Sequence, residues 1–219
     1  MEEHLAALRR LGVDAREVKT VRDLDGVVGL IIPGGESTTI GKLMKTYGLD
    51  EAIRVRAIGT GEVPGTGGTG KPGVKPLTVW GTCAGAILLA KEVSNRQKVV
   101  PTLRRSIIRL AFGLPDILSI MDISVKRNAY GRQVDSFETE LSIPMLGARP
   151  VPAVFIRAPV IERASNKAEI LAEYEGAPVM VREGNLLATT FHPELTDDTR
   201  VHEYFLSLTK HYAKGHLKN

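Results

Sequence analysis

The hydrophobic positions at the start of the chain fit first a helix and then buried strands. Leucines recur at helical spacing over 2–11 and predict an amphipathic helix that ends at Gly12. A short strand is predicted at 15–19. The next apolar segment, 27–32, is an unbroken run, which is typical of a strand buried on both faces of a parallel sheet. The order at this end of the chain is therefore helix, strand, strand.

The rest of the pattern predicts alternating helices and strands, followed by a strand-rich second half. Helices are predicted at 40–47, 50–58, 86–91 and 199–212, and strands at 77–80, 119–125, 137–143, 154–157, 169–174, 179–183 and 186–191. Alternation of this kind is typical of an α/β fold, and hairpin-like spacing indicates antiparallel pairing. We expect three layers, with a mostly parallel sheet, helices on both of its faces and an antiparallel extension.

The chain length of 219 residues suits a single domain, and we expect residues 1–219 to form one. Residues 59–76 are crowded with glycine, proline and threonine, and they predict a flexible insertion. Within it, 65–71 fits most of a phosphate-binding loop, G-x-x-x-x-G-K. Pro72 follows where that motif needs serine or threonine, and no buried strand precedes it, so we reject this interpretation.

Composition excludes several classes of function. Hydrophobic residues make up 43% of the chain and charged residues 25%, with a net charge of +4, as in many globular proteins. The basic stretch at 104–109 has no aromatic neighbours and fits no nucleic-acid module, so no nucleic-acid partner is expected. No apolar run approaches the roughly 20 residues that span a bilayer. The polar start of the chain is unlike a secretory signal, and we expect a cytoplasmic protein without a membrane partner.

The only cysteine, Cys83, lies in a motif that favours reactivity over simple burial. Residues 81–85 read G-T-C-A-G, the G-x-C-x-G form of a nucleophile elbow, between an apolar strand and an apolar helix. Flanking glycines are needed because side chains would clash in so tight a turn. A thiol at a helix N-terminus is favoured as thiolate, and nearby N–H groups are available to face an oxyanion.

A base for this thiol is offered by His192, which follows the predicted strand 186–191. In an extended segment, residues two apart point the same way, so Glu194 would lie beside His192 and orient its ring. The remaining histidines are interpreted as ordinary surface or core residues: His4, His202, His211 and His216. The H-x-E spacing also occurs in zinc deaminases, but their paired cysteines are missing, and we predict no metal.

Taken together, the elbow and the segment His192-Pro193-Glu194 resemble class I (triad) glutamine amidotransferases. A closer resemblance, to the PdxT family of glutaminase subunits of pyridoxal 5′-phosphate synthase, covers almost the whole chain. It rests on P-G-G-E-S-T-T at 33–39, R-N-A-Y-G-R-Q-V-D-S-F-E at 127–138, F-I-R-A-P at 155–159 and H-P-E-L-T at 192–196. The block R-N-x-x-G-R-Q is more specific than the elbow and separates this family from other amidotransferases.

The resemblance implies a role for each matched residue. Cys83 would attack the side-chain amide of L-glutamine, with His192 as base and then acid, oriented by Glu194. Backbone N–H groups of Gly35 and Ala84 would form the oxyanion hole. The substrate would be held by Gly35, Glu36, Ser37, Arg127, Ile156 and Arg157. The implied partner is a PdxS-type synthase subunit, which would receive the ammonia. Pyridoxal 5′-phosphate would be the product of the complex, and no cofactor is expected on this chain.

Elementary chemistry is compatible with these roles and also leaves alternatives. A glycine pair lets backbone approach a ligand closely, and arginine pairs well with a carboxylate, although Arg127 and Arg157 would also serve as structural ion-pair partners. One alternative is a catalytically weak or silent subunit that only binds a partner. A second is an amidotransferase subunit of another pathway, which the R-N-x-x-G-R-Q block disfavours.

The start of the chain departs from the family pattern. Members of the family usually open with an apolar strand that ends in a Gln-Gly turn near the active site. Here the pattern opens with a helix, so we expect either that the first strand of the fold is missing or that this sequence starts downstream of the true start. Because a missing strand leaves backbone groups of its neighbour unpaired, we expect this form to fold or work less well alone.

Overall fold

A computed structural model describes residues 1–59, 76–94, 118–127 and 136–215. Its helices are α1 (Glu2–Arg10), α2 (Ser37–Thr46), α3 (Leu49–Ile58), α4 (Ala84–Leu89) and α5 (Arg200–Gly215). Its strands are β1 (Gly29–Ile32), β2 (Thr78–Thr82), β3 (Ala90–Ser94), β4 (Met121–Lys126), β5 (Ser136–Leu141), β6 (Val151–Ile156), β7 (Val160–Ala164), β8 (Glu169–Tyr174), β9 (Ala177–Glu183) and β10 (Leu186–Thr189). Short 3-10 turns cover Val21–Leu24, Pro144–Leu146 and Pro193–Leu195.

The central sheet has five strands in the order β1-β2-β10-β9-β8. Strands β1, β2 and β10 are parallel, whereas β9 and β8 are added in antiparallel fashion. Gly81 of β2 lies opposite Ile32 on one side and Ala188 on the other. The three parallel strands therefore reach the same edge of the sheet with their carboxyl ends, which is where α/β folds usually carry their sites.

Two smaller sheets complete the described structure. One has the order β3-β4-β7, with β3 and β4 parallel and β7 antiparallel to β4. The other is the antiparallel pair β5 and β6. Strands β4 and β5 thus belong to different sheets, although the polar segment between them read as a turn in the sequence. Most of that segment, 128–135, lies outside the described residues.

The central sheet separates two hydrophobic clusters, because neighbouring residues of a strand point to opposite faces. Val79 of β2 belongs to the cluster that contains Met44, Ile53 and Ile87 from α2, α3 and α4. Trp80, the next residue, belongs to the cluster that contains Phe205 of α5. Helices therefore cover both faces, which confirms the predicted three-layer α/β class.

The predicted strand at 15–19 is wrong, because these residues have no strand geometry. A strand needs a neighbour to receive its backbone hydrogen bonds. In the described ranges, β1 lies at the edge of the central sheet and pairs only with β2, so no adjacent strand is offered. The segment is instead held by side chains, including two hydrogen bonds from Arg16 to the carbonyls of Asp23 and Asp25.

Two strands were missed and one helix was drawn too long. The predicted helix 86–91 ends at Leu89, and the chain continues as β3, while β7 was not predicted. Both strands pair with β4 in a separate sheet that local periodicity does not reveal. The predicted insertion at 59–76 lies almost wholly in 60–75, outside the described residues. None of the described helices has the length and apolar character needed to cross a membrane.

Candidate active site

The tight turn between β2 and α4 places Cys83 at the carboxyl edge of the sheet. Cys83 has φ 48° and ψ −102°, a strained conformation for a residue with a side chain. A Cβ on Gly81 would lie 2.4 Å from the carbonyl carbon of Gly85, and a Cβ on Gly85 would lie 2.1 Å from the carbonyl oxygen of Ile32. Both glycines of the motif are therefore required by backbone contacts, as expected for a nucleophile elbow.

Gly85→Ala should strongly destabilise the fold, because the added methyl group meets backbone that cannot rotate away. We expect the free energy of unfolding to fall by about 3 kcal/mol, at the upper end of overpacking effects. Denaturant unfolding of the purified variant measures this loss. Gly12→Ala is the control, since Gly12 has φ +70° but nothing within 4 Å, and only about 1 kcal/mol of backbone strain is expected. Equal losses in the two variants would contradict the account.

The surroundings of Cys83 are polar and come from three strands. Its backbone N–H donates to the carbonyl of Thr189 at 2.8 Å, which ties the elbow to the end of β10. Its side chain is largely buried, and Sγ lies 3.9 Å from the carbonyl oxygen of Ile156 at the end of β6. Ala84 is the first residue of α4, so its N–H has no acceptor within the helix. This N–H is available to a ligand beside the thiol.

The side chains of His192 and Glu194 form a close pair near the elbow. His192 Nδ1 lies 2.9 Å from Glu194 Oε1, and the Glu194 side chain is only 6% exposed. The two residues do not follow an extended segment, as the sequence suggested, because Pro193–Leu195 is a 3-10 turn. The backbone N–H of His192 also donates to the carbonyl of Val154 at 2.8 Å, so β6 fixes this turn.

Gly34 shows how closely Cys83 and His192 approach each other. A Cβ at Gly34 would lie 2.5 Å from Cε1 of His192 and 3.5 Å from Cβ of Cys83. One glycine after β1 thus touches both side chains, which come from the ends of β2 and β10. Residues distant in sequence converge here because their strands are parallel neighbours. The structure therefore brings Cys83, His192 and Glu194 into one site.

The charges of the pair support one another. Burial lowers the pKa of His192, but the Cys83 sulfur and the Glu194 carboxylate outweigh it and raise the pKa to about 9. Burial raises the pKa of Glu194, but hydrogen bonds from His192 and His4 hold it well below its usual range. Near neutral pH the site therefore holds an imidazolium against a carboxylate, which is a ready proton donor beside a sulfur nucleophile.

Three of the predicted substrate-binding residues, Gly35, Glu36 and Ser37, lie where the chain passes from β1 into α2. Gly35 has φ +134°, a conformation that side chains rarely adopt. The carboxylate of Glu36 caps α2, accepting the N–H groups of Thr38 at 3.0 Å and Thr39 at 2.6 Å. Bonds from the Thr39 hydroxyl and these N–H groups lower the pKa of Glu36 to about 2. Ser37 is buried, and its Oγ has no hydrogen-bond partner within the described part of the chain.

Three further predicted residues lie around this segment with different contacts. Arg127 extends its guanidinium to the start of α2, 3.5 Å from both Glu36 Oε1 and Thr38 Oγ1. Ile156 contributes its carbonyl oxygen to the surroundings of the thiol. Arg157 has an exposed side chain and a left-handed φ of 45°. Among them, only Ile156 has a recorded contact with Cys83, and an ion pair of Arg127 with Glu36 is also present.

Two histidines that were given no role from the sequence, His4 and His202, lie directly behind the site. His4 and His202 are buried core residues, in keeping with their interpretation as ordinary core histidines. However, His4 Nε2 lies 3.4 Å from Glu194 Oε1, and His4 Nδ1 lies 3.1 Å from His202 Nε2. The one sequence signal was a histidine on the apolar face of α1, four residues before Leu8. The contact between His4 and Glu194 could not be predicted because the two residues are far apart in the sequence.

The residues described around the thiol bear on whether the site could hold a metal ion, which requires a set of suitable side-chain ligands. Across the ranges that the structure describes, no group of three or more histidine, cysteine, aspartate or glutamate side chains is arranged to hold a metal ion. The cysteine of the site is surrounded by a carbonyl, a histidine and backbone N–H groups, which suit covalent chemistry on an amide. The expectation of metal-free, cofactor-free chemistry stays a prediction.

The fold and these side chains are those of an α/β hydrolytic enzyme with a cysteine on a nucleophile elbow. Residues 1–211 match the model of the SNO glutamine amidotransferase family, and the chain belongs to that family. It is 47% identical over 206 residues to a pyridoxal 5′-phosphate synthase subunit PdxT of Thermus thermophilus, covering 94% of this chain and 91% of that protein. A PdxT of Thermotoga neapolitana is 45% identical over 210 residues, covering 96% and 94%.

A solved structure shows the same likeness in three dimensions. A crystal structure described as a glutamine amidotransferase superposes with a TM-score of 0.77 at 42% identity, covering 95% of this chain and 93% of that chain. The predicted resemblance to glutamine amidotransferases and to PdxT proteins is thereby confirmed.

Proposed function

We propose that this chain hydrolyses L-glutamine to L-glutamate and ammonia through a thioester on Cys83. It would deliver the ammonia to a PdxS-type synthase subunit for pyridoxal 5′-phosphate (vitamin B6) biosynthesis. The single observation that carries the proposal is the His192–Glu194 pair, joined at 2.9 Å, against the elbow that bears Cys83. The similarity to PdxT proteins over more than nine-tenths of the chain supports the choice of substrate and pathway.

The residues suit each step of the reaction. The sulfur of Cys83 adds to the carboxamide carbon of glutamine, and the oxyanion is received by the N–H groups of Gly35 and Ala84. His192 takes the proton of the Cys83 thiol as base and, as imidazolium, gives it to the leaving nitrogen as acid, so ammonia departs and a glutamyl thioester remains. Neutral His192 then takes a proton from water, which attacks the thioester. Glutamate leaves, and the sulfur and imidazolium are restored.

Substrate orientation is proposed to come from the turn after β1 and from two arginines. The α-carboxylate of glutamine would pair with a guanidinium of Arg127 or Arg157, since arginine binds carboxylates through paired hydrogen bonds. Gly35, Glu36 and Ser37 would line the opposite side, and Ile156 would contact the substrate beside the thiol. The exposed side chain of Arg157, on a strained left-handed backbone, is free to take up such a partner.

The proposal also includes the domain organisation of the chain and the cellular compartment in which it acts. Residues 1–219 would act as one glutamine amidotransferase domain that docks on the synthase subunit and passes ammonia without release to solvent. We place the reaction in the cytoplasm, where thiols are kept reduced.

The test is ammonia release from glutamine by the purified chain, with and without a PdxS-type subunit. We expect glutamate and ammonia in equal amounts, and formation of pyridoxal 5′-phosphate when the sugar-phosphate substrates of the synthase are added. Glutamine hydrolysis without product formation would point to another pathway. No hydrolysis in the presence of the bound synthase subunit would show a silent binding subunit and contradict the proposal.

A further inference from the structure

A buried polar cluster joins the first and last helices of the chain behind Glu194. It consists of His4 on α1, His202 on α5 and Thr82 at the end of β2. His4 is 4% exposed, and His202 and Thr82 are fully buried. The rings of both histidines pack edge-on against Trp80, with centroids 5.5 and 5.0 Å away. Buried imidazoles in such a place need defined hydrogen-bond partners.

The carboxylate of Glu194 determines which ring nitrogen of His4 carries a proton. A carboxylate accepts only, so the Nε2 of His4 that lies 3.4 Å from Glu194 Oε1 carries a proton. Burial lowers the pKa of His202 to about 4, so His202 is neutral near pH 7. His202 Nε2 and His4 Nδ1 lie 3.1 Å apart and share one hydrogen bond, so each ring fixes the orientation of the other. The hydroxyl of Thr82, 3.3 Å from His4 Nε2, shares the proton directed at the carboxylate.

The carboxylate of Glu194 depends on few contacts. Its Oε1 is hydrogen-bonded to His192 Nδ1 at 2.9 Å, and His4 Nε2 lies 3.4 Å from the same oxygen. Its Oε2 is buried and has no hydrogen-bond partner within the described ranges. His4 is therefore one of two groups that fix the rotation of the carboxylate. An exposed ion pair between Arg10 of α1 and Asp197, at 3.0 Å, also joins the helix to the segment that follows Glu194.

We propose that His4 is a positioning residue of the glutaminase, which holds the carboxylate of Glu194 in line with His192 from behind and is itself held by His202. The inference rests on the proposed function, because it assigns His4 a part in the Cys83–His192–Glu194 mechanism. His4 does not touch substrate. It acts by keeping Glu194 from rotating away from the imidazole, since a catalytic ring must be held in one orientation to move protons efficiently.

The experiment compares three replacements of His4 in the complete chain with its synthase subunit bound. His4→Gln places an amide nitrogen near the position of Nε2 and keeps a donor for Glu194. His4→Asn places its amide near Nδ1, one methylene short of the carboxylate. His4→Leu fills the space without any donor. His211→Gln is the matched control, because His211 lies on α5 with an exposed side chain.

We expect His4→Leu and His4→Asn to lower kcat by about tenfold, as is usual for loss of a group that orients a catalytic ligand, with KM within about twofold of the wild type. His4→Gln should restore kcat to within about threefold, and His211→Gln should behave as the wild type. If His4 only filled the core, we would not expect kcat to fall while KM stays the same, nor would we expect the His4→Gln replacement alone to restore kcat.

The inference is overturned if His4→Asn and His4→Gln have the same kcat, whether both are normal or both are impaired. This comparison still decides the matter if His4→Leu does not fold. Cys83→Ala and Glu194→Gln are assayed alongside. If they stay active, the proposed mechanism itself fails. If they lose activity while the His4 variants keep it, only the role of His4 is refuted.

Discussion

Cys83→Ala abolishes ammonia release from glutamine while the protein remains folded. In the proposed mechanism the sulfur forms the covalent bond to substrate, and alanine offers no nucleophile, so we expect kcat to fall by at least roughly 1,000-fold. Cys83 is the only cysteine, so no other thiol replaces it. The side chain is small, and its contacts with the carbonyl of Ile156, at 3.9 Å, and with His192 are few, so the free energy of unfolding should change by only about 1 kcal/mol.

The measurement is ammonia release with the synthase subunit bound, together with thermal unfolding of the same sample. Binding of the variant to the synthase subunit serves as the control, because a folded but inactive chain should still dock. Residual activity within tenfold of the wild type would show that Cys83 is not the nucleophile. Loss of folding would show that the elbow is chiefly a structural feature.

Glu194→Gln should be the next most damaging change to activity. The carboxylate orients the imidazole of His192 and stabilises its charged form, and an amide does neither well. We expect kcat to fall by roughly 100- to 10,000-fold, the upper value being that known for loss of the acidic member of a catalytic triad. Glu203→Gln is the control, since Glu203 lies exposed on α5 and caps nothing in the site.

The same variant should change how stability depends on pH. The pKa of His192 is raised from 6.5 to about 9 in the folded protein, so its contribution is complete below about 6.5 and is lost as pH rises through 9. Glu194→Gln removes one of the two groups that raise this pKa. Denaturant unfolding between these pH values should therefore show a smaller loss of stability in the variant than in the wild type. Parallel pH profiles would contradict the coupling of these two residues.

Local chemistry explains why the elbow and its neighbours were predictable. The unbroken apolar run that became β1 and the G-x-C-x-G turn after β2 are features of short segments, in which hydrophobic pattern and glycine spacing report backbone geometry directly. The contacts of Gly81 and Gly85 with backbone show why no other residue type fits there. His192 and Glu194 are two residues apart, so their pairing was also a local inference.

Long-range pairing explains what could not be predicted. Strands β3 and β7 are recognised as strands only once both are seen to flank β4. The segment 15–19 does not form a strand because no strand of the described ranges lies beside it to pair with. Alternation of apolar and polar residues reports which face is buried but not which strand is adjacent. Strand propensity was therefore overridden by the availability of a partner.

The same limit applies to the site. His4 and His202 are 198 positions apart, yet their rings are in contact behind Glu194. Nothing in the local sequence of α1 or α5 distinguishes a histidine that supports a catalytic carboxylate from one that fills the core. Their place was revealed only when the fold brought the first helix, the last helix and the end of β2 together.

Covalent labelling with a glutamine-like alkylating agent tests the central claim most directly, because the chain has a single cysteine. Mass and glutaminase activity are followed in the same sample, with His192→Gln as the comparison. We predict one adduct per chain, at Cys83, with activity lost in proportion, protection by glutamine, and much slower labelling of the variant. Full labelling without loss of activity, or equal rates for the two proteins, would contradict a thiol activated by His192.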